Sequence, residues 1–140
     1  MSEREARRAA ALLETYRGQI DALAKQHEVM RMSFEEVLRA RETLARYRVA
    51  GEGKELLVPV GATTYVYAQS QTPDRVLIGI GSSLIVEDTE PGARARLDAR
   101  AQSLETAIQA LEARLEEVEA KAEAQSQILD DLVSRGAPPG

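Results

Sequence analysis

The sequence contains no cysteine and no tryptophan, and only one phenylalanine and one histidine among 140 residues. Without cysteine there is no disulfide framework, no thiolate metal site and no thiol redox chemistry. That fits a reducing compartment, so a cytoplasmic location is expected. A lone histidine with no thiols argues against a dedicated zinc site, and no metal or cofactor is expected. So little aromatic bulk argues against a large packed centre. No apolar run approaches the roughly 18 residues a membrane span needs. The first residues, Met1 to Arg8, are charged with no apolar signal core behind them, so no membrane partner is expected. The net charge is −5, and no basic cluster stands apart from acidic neighbours, which argues against nucleic acid.

What the sequence does have is two heptad ladders of equal length. The first runs Leu13, Tyr16, Ile20, Leu23, His27, Met30, Phe34, Val37, Arg41, Leu44, Arg48. The second runs Leu97, Ala101, Leu104, Ile108, Leu111, Leu115, Val118, Ala122, Gln125, Leu129, Leu132. Both alternate steps of three and four, and a pattern sustained that long predicts a coiled coil. Read backwards, the second ladder has the step order of the first, so the helices can lie antiparallel. With Leu13 opposite Leu132, the expected layers put His27 opposite Val118, Phe34 opposite Leu111, Arg41 opposite Leu104 and Arg48 opposite Leu97. Residues 3–48 carry a net charge of +2 and residues 91–135 a net −3. That mildly favours pairing these helices with each other, since exposed pairs contribute only about 0.2–1 kcal/mol each. Ser2 with Glu5 reads as a capping box. Gly18 falls on a solvent-side position, and Gly51 and Gly53 end the first helix.

Between the ladders the period changes. Leu56 to Val60, then Gly61-Ala62, then Thr63 to Ala68 reads as a β-hairpin. Arg75 to Ile80, then Gly81-Ser82, then Ser83 to Glu87 reads as a second hairpin of the same design. Pro59 suits an edge or a bulge. Pro91 suits an early helical position, with Asp88 or Thr89 as cap. The expected fold is α+β and mostly α. Its parts are coiled-coil helix 1 at 1–50, two hairpins at 51–90, coiled-coil helix 2 at 91–135 and a mobile tail at 136–140. Two short hairpins have little stability of their own and expose unpaired backbone edges. Val58, Val60, Tyr65, Val66, Tyr67, Val76, Ile78, Ile80, Leu84 and Val86 need cover. A two-helix rod whose seam is already used is not expected to supply it. The middle therefore predicts an oligomer assembled through strand pairing.

Candidate catalytic groups are few. Gly79-Ile80-Gly81 lacks the third glycine of a dinucleotide fingerprint and is followed by a strand. His27 sits on the seam, where a structural role is expected. Glu116-Glu117 and Asp130-Asp131 are helical neighbours whose side chains diverge by about 100°. Ser82-Ser83 has no base nearby and reads as turn chemistry. No enzyme activity is expected. Arg41 and Arg48 on the seam either snorkel outward or pair with an acid such as Glu55 or Glu87, and snorkelling is the favoured expectation. A coiled-coil adaptor for one fixed partner is the alternative function.

The order helix, two hairpins, helix resembles the α-class subunit of prefoldin, also called GimC. The similarity lies in Leu57-Val58-Pro59-Val60-Gly61 with Tyr65-Val66, and in Val76-Leu77-Ile78-Gly79-Ile80-Gly81 with Leu84-Ile85-Val86-Glu87. Single-hairpin β-class subunits fit less well, and the compact length looks archaeal. The resemblance implies an ATP-independent holdase in which two α and four β subunits build a β-barrel platform carrying six coiled coils. It implies that the helix ends hold non-native proteins and pass them to a group II chaperonin. Mapped onto this chain, those ends carry Leu12, Leu13, Ile128, Leu129, Leu132 and Val133. Leu12, Ile128 and Val133 are apolar beyond what the seam needs.

Overall fold

The computed structural model describes residues 2–136, with the Ser2 side chain excepted. The expected Ser2 cap and the tail beyond Gly136 lie outside the described residues. The elements are α1 (Ser2–Ala50), β1 (Glu55–Gly61), β2 (Thr64–Gln69), β3 (Val76–Gly81), β4 (Leu84–Asp88) and α2 (Glu90–Gly136). The chain divides into two compact units, Met1–Ser33 with Leu104–Gly140 and Phe34–Ser103. The division cuts across both helices.

In the first unit the helices pair through the positions the ladders name. Leu13, Tyr16, Ile20, Leu23, His27 and Met30 are buried or half-buried, as are Leu111, Leu115, Val118, Ala122, Gln125 and Leu129. The register differs from the expected one. His27 Nε2 lies 3.1 Å from Glu112 Oε1, six residues before its expected partner Val118, which is about 9 Å of helix. A shallow groove is lined by Leu13 and Ile20 from α1 and by Glu119, Ala122 and Ser126 from α2, the same displacement. In the second unit Arg41 pairs with Asp98 and Arg48 with Glu90, again six or seven residues short of the expected Leu104 and Leu97. The helices have slid by one heptad. The physical reason is Ala9, buried at 3% exposure, with half-buried Ala6 before it. These alanines are seam rungs, and they extend the first ladder by seven residues. A heptad ladder matches itself after a shift of seven, so only its true starting rung decides between the two alignments.

The second unit holds both hairpins. Helix α1 stops at Gly51 and Gly53, both with positive φ, where a side chain would be strained. Ser70 staples this turn. Its Oγ donates to the Gly51 carbonyl and accepts from the Lys54 N–H, each at 2.8 Å. Helix α2 starts at Glu90, one residue before the expected 91. The Thr89 hydroxyl accepts the Gly92 N–H and its carbonyl accepts the Ala93 N–H, so Thr89 is the N-cap with Pro91 in the first turn.

Strands β1 and β2 pair antiparallel, as do β3 and β4, and the two hairpins form separate sheets. Ala62-Thr63 and Ser82-Ser83 turn them with positive φ at both positions, the hairpin pattern that matches strand twist. Each hairpin slips register beside its glycine, between Pro59 and Gly61 and between Gly79 and Gly81.

Candidate functional site

The register fixes which side chains share a face. In the β3–β4 hairpin, Val76, Ile78 and Val86 lie on one face, and Leu77, Gly79 and Ile85 on the other. The first face packs on the chain's own helices. Ile78, Ala93 and Leu97 form a core joined by Val37, Leu44, Val76 and Val86. This corrects the expectation that the helices have no cover to give. The flank of each helix beside the seam supplies it, so Val76, Ile78 and Val86 are spent inside the chain. The opposite face is open, with Leu77 at 73% and Ile85 at 67% exposure.

In the β1–β2 hairpin, Leu56, Val58, Val66 and Ala68 share one face, and Leu57, Pro59, Tyr65 and Tyr67 the other. Val58 and Val66 remain exposed, and Leu57, Tyr65 and Tyr67 more so. Val60, Ile80 and Leu84 are exposed near the turns. Leu57, Leu77 and Ile85 belong to the open apolar surface, and sequence reasoning passed over them. Strict alternation from Val58 and Ile78 would have found them, because each flanks a residue assigned to the opposite face.

At the helix ends, Leu13 is buried in the seam and Leu12 is half-buried, as are Leu129 and Leu132. Ile128 and Val133 are exposed. The two that stand outside the seam on α2 therefore remain accessible, while Leu13 is committed to helix pairing.

Arg41 and Arg48 keep 45% and 43% of their side-chain surface exposed, as snorkelling expects, and both are ion-paired, with partners other than Glu55 or Glu87. Glu90 is fully buried, with Arg48 Nη1 at 3.1 Å and Arg94 Nε at 3.2 Å. Arg48 also reaches Asp74 at 3.4 Å. This cluster ties the end of α1, the β2–β3 loop and the start of α2 together. A buried carboxylate is tolerated only when paired in this way. Next to it, the Arg96 guanidinium and the Thr89 N–H hold the Asp88 carboxyl below its usual 3.8. On α2, Lys121 and then Arg114 lower Glu117 in the same sense.

A cleft of about 450 Å³ opens beside the sheets, lined by Tyr47, Leu56, Gln69, Arg75, Leu77 and Glu87 among others. Arg75 and Glu87 pair with each other there, and no nucleophile with an adjacent base lines it. Among the described residues no group of three or more acids, histidines or cysteines could hold a metal ion, and no helix is long and apolar enough to cross a membrane. What the site offers is apolar strand surface with unpaired edges, the chemistry of protein association.

The family model described as Prefoldin subunit matches residues 16–135. A putative prefoldin subunit alpha from Aquifex aeolicus is 36% identical over 103 residues, 69% of this chain and 69% of that protein. Prefoldin subunit alpha from Methanosarcina mazei is 30% identical over 103 residues, 71% of this chain and 72% of that protein. Among solved structures, filamentous PFD from Methanocaldococcus jannaschii aligns with a TM-score of 0.72 at 25% identity, over 81% of this chain and 94% of that one.

Proposed function

This chain belongs to the prefoldin family of chaperones, and on that premise we propose that it is the α-type subunit of a cytoplasmic, ATP-independent holdase. Its hairpins join β-class subunits, in a hexamer of two α and four β, to close a barrel platform. Its helix ends hold non-native polypeptides through Ile128 and Val133, backed by Leu12, Leu129 and Leu132, and release them to a group II chaperonin. One observation carries this reading. Both hairpins turn an apolar face outward, through Leu57, Tyr65 and Tyr67 on one and Leu77 and Ile85 on the other. A chain built for solitary life seldom leaves so much strand surface uncovered. The grip at the helix ends is weak per site. Several tips on one platform raise avidity through effective concentration without any strong single contact.

The test has two stages. Light scattering after size exclusion, with a β-class subunit from the same organism, should give a discrete hexamer containing two copies of this chain. The assembled complex should then suppress aggregation of unrelated denatured proteins. Removing α2 from Ile128 onward should spare the hexamer and weaken that protection. Full protection by the truncated complex would sink the assignment of the helix ends.

A further inference from the structure

We propose that Glu90, buried and bridged to Arg48, is the positioning residue that holds α1 and α2 in their present alignment, so that the helix ends take their facing partners from it. This rests on the reading of the helix ends as the grip for non-native chains and names what sets their composition.

The polar pairs along the helices repeat with the heptad. His27 and Arg41 stand fourteen residues apart on α1, and their partners Glu112 and Asp98 fourteen apart on α2. The acidic column on α2 is longer than these pairs need. Asp98, Glu105, Glu112 and Glu119 follow at intervals of seven. Glu105 and Glu119 are exposed and carry no ion pair among the described residues. A slide of α2 by one heptad would bring Glu119 to His27, Glu105 to Arg41 and Asp98 to Arg48. Each of these α1 side chains would keep an acid. The distal apolar layers survive the slide as well. Leu129 and Leu132 would exchange Ala9 and Ala6 for Tyr16 and Leu13. The alanines supply the rungs that the present alignment needs, but a leucine gains less apolar contact against alanine than against leucine or tyrosine. A slide the other way puts Pro91 opposite Arg41 and offers it no acid. The heptad pattern therefore leaves one rival alignment.

The junction with the hairpins tells the two apart. Glu90 is fully buried, with Arg48 Nη1 at 3.1 Å and Arg94 Nε at 3.2 Å. After the slide Glu90 would lie beyond Ala50, the last residue of α1, and would keep only Arg94 from its own helix. Removing one partner from a buried carboxylate is strongly unfavourable. The same slide would draw Val37 and Leu44 away from Ile78. One polar contact in a repeating apolar seam is enough to specify its register. Here that contact sits at the opposite end of the helices from the residues whose facing partners it chooses.

The chain lacks cysteine, so disulfides between introduced pairs read the alignment directly in the full-length protein. Leu23→Cys with Leu115→Cys reports the present alignment, and Leu23→Cys with Ala122→Cys the slid one. Without further changes the first pair should cross-link and the second should not. Arg48→Met with Glu90→Gln removes the ion pair without stranding a buried charge. In that background the second pair should cross-link roughly tenfold or more above its wild-type level, the shift expected from losing a charged hydrogen bond. Arg48→Met alone should move the pairs the same way by less. A merely structural role would weaken the first cross-link without creating the second. Glu112→Ala, an exposed change away from the junction, should leave the first pair dominant. The proposal is overturned if the double variant keeps the wild-type pattern or loses both cross-links, or if Glu112→Ala alone brings out the second pair. Aggregation assays on the same variants separate it from the holdase reading. A switch of pairs in a complex that protects no denatured protein keeps the positioning role and removes the holdase. Unswitched pairs in a protective complex do the reverse.

Discussion

The two hairpins are nearly the same object placed in two environments. Shifted by twenty positions, Leu57, Val58, Gly61 and Val66 fall on Leu77, Ile78, Gly81 and Val86, and both turns carry positive φ at two non-glycine residues. Yet Ile78 is 7% exposed while Val58 is 40% exposed. The difference comes from outside the strands. Ala93 and Leu97 of α2, with Val37 and Leu44 of α1, cover the inner face of the β3–β4 hairpin, and among the described residues no comparable core forms against β1–β2. Local strand chemistry decides that a hairpin forms. The helix flanks decide which of its faces is still available to another chain.

Truncation at equivalent positions should separate the two hairpins most strongly. Ile78→Ala removes a buried side chain and should destabilise the chain by about 3 kcal/mol. Val58→Ala, at a position still open to water, should change stability by less than about 1 kcal/mol in the absence of partners. Urea denaturation of both variants checks the contrast, and equal losses would break it. Next in size is the Glu90 cluster that anchors the base of the covered hairpin. Arg48→Met leaves a buried carboxylate with Arg94 alone. About 2 kcal/mol should be lost, less than for a fully enclosed pair because Arg48 is itself 43% exposed. A loss that persists in high salt would mark the pair as buried, whereas a surface pair would be screened away.

How far the sequence spoke can be judged from single residues. The seam positions were legible because leucine, isoleucine and valine at heptad spacing have no other economical place in a helix. The alignment of the seam was not, because Ala6 and Ala9 are too small to announce themselves as rungs. Both hairpins were legible from Gly61 and Gly81 between β-branched runs. Which strand residues stay outside was not, because Leu57 and Val58, or Leu77 and Ile78, are equally apolar neighbours and only packing tells them apart. Arg41 and Arg48 were visible as charges on a seam. Their partners depended on the register, so the one-heptad slide that displaced the layers also replaced the expected acids with Asp98 and Glu90.

The turns offer a smaller test of what the hairpins share. Ala62-Thr63 and Ser82-Ser83 occupy a left-handed region that asparagine and glycine tolerate better. Replacing either pair with Asn-Gly should stabilise the chain by about 1 kcal/mol. Equal gains in thermal denaturation would place the strain in the turn itself, and unequal gains would show that packing against the helices had already absorbed part of it.

The smallest effect concerns acid. Asp88 ends β4 and sits where α2 begins, and the position twenty residues earlier is Ala68, which cannot titrate. Arg96 and the Thr89 N–H lower the Asp88 carboxyl below 3.8, so the folded state favours the ionised form. The resulting stability is fully present above the unfolded value and is lost as pH falls through the folded one. Acidification below about pH 4 should therefore loosen the β3–β4 end of the platform through a group the β1–β2 end does not possess. Hydrogen exchange followed from pH 5 downward should show β4 amides losing protection before those of β2, and Asp88→Asn should remove the lag between them. Simultaneous loss in wild type would mean that the two hairpins open as one unit, and that their different packing does not make them energetically separate.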